Sequence, residues 1–406
     1  VLGFVIFYLL ISSIISTVIV RWLVPSRFRS ETFKGKRLCI ILAGAVLIFC
    51  LTIAIGLAFF NVNNFFLLAG PLLMEYAWLI GIIFLSLLIR LKPSQVKSGF
   101  RIYTPIIIIG FIIFGFRIVF IPNMFVNVFF PPILFIFALW QWNVIYRLKK
   151  KIPKSDMVYT WISLLLMAVS CLFALNGYVL LSVELFIWWL FQLTCIQTIT
   201  CVYDLLSWYE KKVLVRKIGG HSEKQLSIPE ISRQLKLGYF INYTWFYDLL
   251  RKAVIPVLSV MSVLYSIYWA ADVFDLAESC RMIFFYNFID IQSFCQLSLF
   301  KIVLVSGCYF IFSYLNYAIK AVYLKYFVKS SLKKGKANIT LANNIISISV
   351  WGVYFLFALI LLQVPKSGIS IVTAGLATGV GFAMKDLIEN FFYGLSLMAG
   401  RVRVGD

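Results

Sequence analysis

The chain has 406 residues, of which 62% are hydrophobic and only 13% charged. So large an apolar share excludes a water-soluble domain of this length, because too few polar residues remain to cover its core. The 37 Lys and Arg outnumber the 16 Asp and Glu, yet the excess is gathered in alternate loops, which marks membrane topology and not nucleic-acid binding.

Crossing a bilayer takes about 20 apolar residues, and about eleven stretches qualify. They are residues 1–24, 38–60, 66–91, 102–121, 126–146, 158–181, 183–206, 253–272, 297–320, 338–362 and 367–384. The fold class is therefore an all-α polytopic membrane protein. Pro105, Pro131, Pro132 and Pro256 are expected near span starts, where a missing N–H does little harm, and Pro71 marks the start of the third span. Four regions follow: a seven-span paddle over 1–206, a loop over 207–252, two spans with an external loop over 253–337, and the last two spans over 338–406.

The basic residues orient these spans. The loop after the first carries Arg21, Arg27, Arg29, Lys34, Lys36 and Arg37, and those after the third and fifth are similarly basic, as are 207–252 and 320–336. Only Arg117, Arg281, Lys301 and Lys366 lie on or near the other side. Such asymmetry places the basic loops in the cytoplasm, with the start of the chain external and its end internal. The missing initiator Met and the external start indicate a piece of a longer protein with a translocated segment upstream.

In the loop 207–252, Ser227 and Glu230 form a capping box and Gly238 a stop, which predicts a short amphipathic helix at the membrane surface. The external loop 273–296 is acidic, with Asp275, Glu278 and Asp290, and its clustered Phe284, Phe285, Tyr286 and Phe288 are expected to rest on the bilayer. Most of the eight cysteines sit in apolar runs, where Cys behaves as a small hydrophobe. Cys280 and Cys295 share the external loop, either bridged or as two free thiols. With a single His221 and no metal-ligand spacing, the sequence points to no metal, cofactor or enzyme active site. Glu75, within the third span, and Glu184 and Asp204, in the seventh, are intramembrane acids, and such residues are functional candidates by default. Glu75 has no obvious second ionisable group to relay to, and a hydrogen bond between helices is the plainer reading.

Residues 367–406 differ in character from everything before them. Gly375, Gly379 and Ala383 recur every fourth residue, and Ala374, Ala377 and Gly381 form a second small-residue stripe beside them. In lipid, such stripes let helices approach closely, here on both flanks, as in a ring. Lys385 and Asp386 then interrupt the apolar run. Asp386 is a good N-cap and Glu389 completes a capping-box pattern, so a second helix is expected to start there. That helix would be amphipathic, setting Leu387, Ile388, Phe391, Phe392 and Leu395 against Glu389, Asn390 and Ser396. A small-residue span kinked at Lys385 and Asp386 into an amphipathic helix is a pore-helix pattern. An ordinary span followed by an interfacial anchor is the alternative.

The run from Gly375 to Asp406, above all Gly379-Val380-Gly381-Phe382-Ala383-Met384, Asn390, Gly394 and Arg403-Val404-Gly405-Asp406, resembles the pore helix of the small-conductance mechanosensitive channel (MscS-like) family. The many-span MscK-like members are the nearest subgroup. The resemblance implies a homo-heptamer with a constriction at Thr378 and Phe382, osmotic protection as its role, and ions and small osmolytes as permeants. Helical spacing sets Thr378, Phe382 and Lys385 on one face, where a ring of Phe would close a dry gate. The chain departs from the family at Thr378, where an apolar ring is usual, at Lys385, and at Asp386, which replaces a hinge Gly. A Lys385 ring would give weak anion preference unless Asp386 cancels it. The resulting expectation is a tension-gated, weakly selective channel subunit in a bacterial cytoplasmic membrane, in contact with lipid. The alternative is a secondary transporter or lipid flippase using Glu75.

Overall fold

The computed structural model describes residues 10–19, 37–59, 64–91, 93–119, 123–148, 153–214, 241–291, 295–324, 339–364 and 366–398. Nearly all of them are helical, as lipid requires of a backbone whose polar groups must be satisfied internally. The helices are α1 (Leu10–Ile19), α2 (Arg37–Phe59), α3 (Asn64–Arg90), α4 (Pro93–Val119), α5 (Asn123–Leu148), α6 (Lys154–Leu175) and α7 (Val179–Tyr209). They continue with α8 (Ile241–Leu249), α9 (Ile255–Val273), α10 (Ala277–Phe285), α11 (Leu299–Tyr323), α12 (Ile339–Leu361) and α13 (Lys366–Met398). Among the described residues 8 helices are long and apolar enough to cross a membrane, or 9 if the bent α13 is one span. Each falls on an expected stretch. The first two expected spans appear as shorter apolar helices, Leu10–Ile19 and Ile40–Ile55.

The core sits around α7, which packs against α3, α6 and α9. Its fully buried Phe186, Ile187, Leu190 and Leu193 meet Leu79, Ile83, Tyr103, Ile106 and Phe130 from α3, α4 and α5. Burial then falls along the chain: 56% of the α7 span lies inside the molecule, 33% of α8–α9, 6% of α11 and 0% of α12. The molecule is thus a packed bundle with a trailing row, α9 to α11 to α12, in which each helix touches mainly its neighbours. Aromatic pairs bind the row together, among them Tyr309 stacked on Trp351 at 5.1 Å.

Several expected boundaries move. The turn placed near residue 182 lies instead at Asn176–Tyr178, where Gly177 takes φ +89°. There the Tyr178 N–H reaches the Phe173 carbonyl (2.9 Å) and the Gly177 N–H the Ala174 carbonyl (3.1 Å), a Schellman cap. The ends of α9 and α12 close in the same way, with Asp275 (φ 57°) and Gln363 (φ 55°) in the left-handed position. Pro256 stands in the first turn of α9, as expected, but the other prolines named above do not start helices. Pro71, Pro105, Pro131 and Pro132 lie inside α3, α4 and α5, because neighbouring helices supply the hydrogen bonds that a proline disturbs. One turn before Pro105, Gln141 donates to the Ile102 carbonyl (3.4 Å).

The expected loop 207–252 is shorter. α7 runs on through a π-helical turn, Glu210–Leu214, and helix resumes at Ile241, since continued backbone bonding costs less than exposing those groups at the membrane. The capping box at Ser227 and Glu230 lies outside the described residues. The segment between α9 and α11 departs from an all-α fold. It contains α10 and a hairpin of β1 (Asn287–Ile291) and β2 (Cys295–Ser298), antiparallel with Asp290 opposite Gln296. Phe284 is buried, whereas Phe285, Tyr286 and Phe288 are exposed. Cys280 is a buried free thiol rather than half of a bridge. It lies on the inward face of α10 with Phe284, and burial pushes its pKa up.

Candidate functional site

α13 is the one long helix that leaves the bundle. It makes no extensive contact with another described element, and Thr378, Phe382, Lys385 and Asp386 are all exposed, Phe382 by 75%. A side chain added at Gly375, Gly379, Gly381 or Gly394 would meet nothing within 4 Å. At about 100° per residue, Thr378, Phe382 and Lys385 share one face. The stripe Gly375, Gly379, Ala383 then lies about 100° to one side of Thr378 and the stripe Ala374, Ala377, Gly381 about 70° to the other. The face of Thr378, Phe382 and Lys385 is flanked by two flat surfaces fit for close helix contact.

The local chemistry differs from the expectation in two ways. Asp386 does not cap a new helix, because α13 remains helical through it and leaves no unpaired N–H for a cap to satisfy. The helix bends instead: the axes of Ser370–Asp386 and Ile388–Gly394 differ by 43°. Glu389, free of any capping duty, reaches back to Lys385 at 3.9 Å as an (i, i+4) pair. Among the described residues Lys385 makes its ion pair with Glu389 and not with Asp386. The Thr378 hydroxyl donates to the Ala374 carbonyl at 2.8 Å, so its polar end is turned onto its own helix. With 33 residues at about 1.5 Å each, α13 is about 50 Å long, against about 30 Å of hydrocarbon. The part beyond the bend exceeds what one crossing of the hydrocarbon needs.

Two polar clusters tie the other elements together, and sequence reasoning missed both. In the first, Lys301 at the start of α11 donates to Asn287 Oδ1 (3.3 Å), the Gln296 carbonyl (3.1 Å) and Gln363 Oε1 (2.9 Å). The Gln296 N–H also donates to the Leu362 carbonyl (3.2 Å). The hairpin thus straps the turn that leads from α12 into α13. The one available signal was a lone Lys beside the acidic stretch 273–296. In the second, Arg251 pairs with Glu210 at 2.6 Å and donates to Tyr203 (3.0 Å). Asp248 accepts from Thr244 (2.8 Å) and Tyr317 (3.1 Å). These bonds join α7, α8 and α11 at the π-helical turns, and no spacing rule links residues so far apart in the chain.

Glu75 lies on α3, half-buried, and borders a cavity between α3, α7 and α9. Among the described residues no group of His, Cys, Asp and Glu is arranged to hold a metal ion. No family model, curated protein or solved structure matches the chain.

Proposed function

We propose that the chain is a subunit of a tension-gated, weakly selective ion channel in which copies of α13 line the pore. The observation that carries this reading is a long apolar helix with no extensive contact to another described element, with Thr378, Phe382 and Lys385 on one face between two small-residue flanks. An apolar helix with two such flanks is completed by equivalent helices on both sides, and a closed ring of copies supplies them. The likeness of residues 375–406 to the MscS-like pore helix argues for a homo-heptamer and for release of ions and small osmolytes in a bacterial inner membrane. Tension favours whichever state occupies more membrane area and so shifts the population towards an expanded ring. The loosely packed row of α9, α11 and α12 gives lipid a large surface on which to act. Lys385 paired with Glu389 accords with weak selectivity.

The test is patch-clamp recording of the full-length protein in liposomes under graded suction. Stepwise currents are expected, and Phe382→Ser, which wets the gate, should open the channel at lower tension. Silence up to patch rupture, with insertion verified, would overturn the reading. A second reading, secondary transport or lipid flipping through Glu75, draws on the cavity that this carboxylate borders. Proton-coupled uptake lost in Glu75→Gln would favour it.

A further inference from the structure

The cavity between α3, α7 and α9 holds about 490 Å³ and is lined by Glu75, Trp78, Phe191, Tyr265 and Trp269 among others. Its rim residues Trp78, Leu258 and Tyr265 are exposed on the outside of the bundle, so it opens sideways onto hydrocarbon. Glu75 lies about 9 Å along the axis from Ala69, where the α3 span begins. That depth is below the headgroups, and a zwitterionic lipid head does not belong there.

The Ser and Thr hydroxyls around the cavity are already committed. Thr194 donates to the Leu190 carbonyl (2.9 Å) and Thr198 to the Thr194 carbonyl (2.8 Å). Ser262 donates to the Ser259 carbonyl (2.7 Å) and Ser266 to Gln192 Oε1 (2.6 Å). The Trp78 indole N–H is spent on Thr198 (3.0 Å). The Tyr265 hydroxyl, the Trp269 indole N–H and the Cys195 thiol also line the cavity, but no described cation pairs with the Glu75 carboxylate. A cation entering here would meet an acid without a described counter-ion. The other walls are aromatic faces, with the Tyr265 and Trp269 centroids 4.8 Å apart and Phe191 edge-on to Trp269 at 6.0 Å. Ring faces attract a cation within about 6 Å, more strongly where water is excluded.

We propose that this cavity binds a lipophilic organic monocation, its charge against the Glu75 carboxylate and its apolar body against Trp78, Tyr265 and Trp269. The ligand class is a membrane-partitioned quaternary ammonium or phosphonium. The site is independent of the channel reading, because none of its residues belongs to α13.

The test uses the full chain in phosphatidylcholine nanodiscs with tritiated tetraphenylphosphonium as probe. Saturable binding is expected, displaced by benzyltrimethylammonium but not by neopentylbenzene, its uncharged carbon isostere. Glu75→Gln should weaken binding about tenfold or more, Glu75→Asp should retain most of it, and Trp269→Leu should cost a few-fold. Unchanged affinity in Glu75→Gln, absence of saturable binding to the natural chain, or equal displacement by neopentylbenzene would each overturn the proposal. The displacement experiment needs only the natural chain, so it decides the matter even if a variant fails to fold.

Discussion

Replacing Lys301 by Met removes three hydrogen bonds at once while keeping the length of the side chain. Those bonds hold Asn287, Gln296 and Gln363, and so join the β1–β2 hairpin to the turn between α12 and α13. A hydrogen bond to a charged group contributes about 1.5–3 kcal/mol when buried, but an exposed ionic contact retains only about 0–1 kcal/mol. Lys301 is half-buried and its contact with Gln363 is exposed. The loss therefore comes to about 2 kcal/mol, or a factor of about 30 in local opening. Hydrogen exchange read by mass spectrometry over 295–298 in nanodiscs is the assay, since the Gln296 amide closes the strap on Leu362. Exchange there should quicken by one order of magnitude or more while α7 is unaffected. Unchanged exchange at Gln296, or acceleration spread evenly over the chain, would refute the reasoning. A companion pair separates geometry from bonding. Gln363→Ala and Gln363→Gly both lose the amide, but only Gly is at ease at φ 55°. The Ala variant should open more by about 1 kcal/mol, roughly fivefold.

The other expected outcomes are simpler. Gly177→Ala should destabilise by about 1 kcal/mol in thermal unfolding, because a Cβ there meets open space and only the left-handed backbone (φ +89°) is penalised. A neutral result would mean the cap relaxes. Asp275→Gly should stabilise by about 0.5–1 kcal/mol through the same conformational term. Cys280 should be recovered alkylated after unfolding without reductant, and a mass-spectrometric Cys280–Cys295 bridge would contradict the free thiol. In the folded protein its raised pKa leaves less thiolate than an exposed Cys at pH 8, so labelling should be slow and still rise as pH increases beyond the ordinary thiol range.

The sequence by itself determined that this is a helical membrane protein, and it located the 8 helices that are long and apolar enough to cross a membrane among the described residues. Each span must carry its own apolar length and satisfy its own backbone, so these properties are local and show in any window of about 20 residues. The small-residue stripes and the exposed positions of Thr378, Phe382 and Lys385 were legible for the same reason, since helical spacing alone fixes which residues share a face. Caps and breaks were less legible. Proline and Asp386 signal helix starts only when nothing else satisfies the backbone, and in this bundle neighbouring helices or the continuing helix do so. Only the tertiary structure decided the burial gradient from α7 to α12, the isolation of α13, the Lys301 strap and the vacant carboxylate of Glu75. Each depends on which side chains meet across tens or hundreds of residues, as Lys301 meets Gln363 and Trp78 meets Thr198. In lipid, apolar surface does not choose between partners; packing shape and the few polar groups do, and their positions become definite only once the helices are assembled.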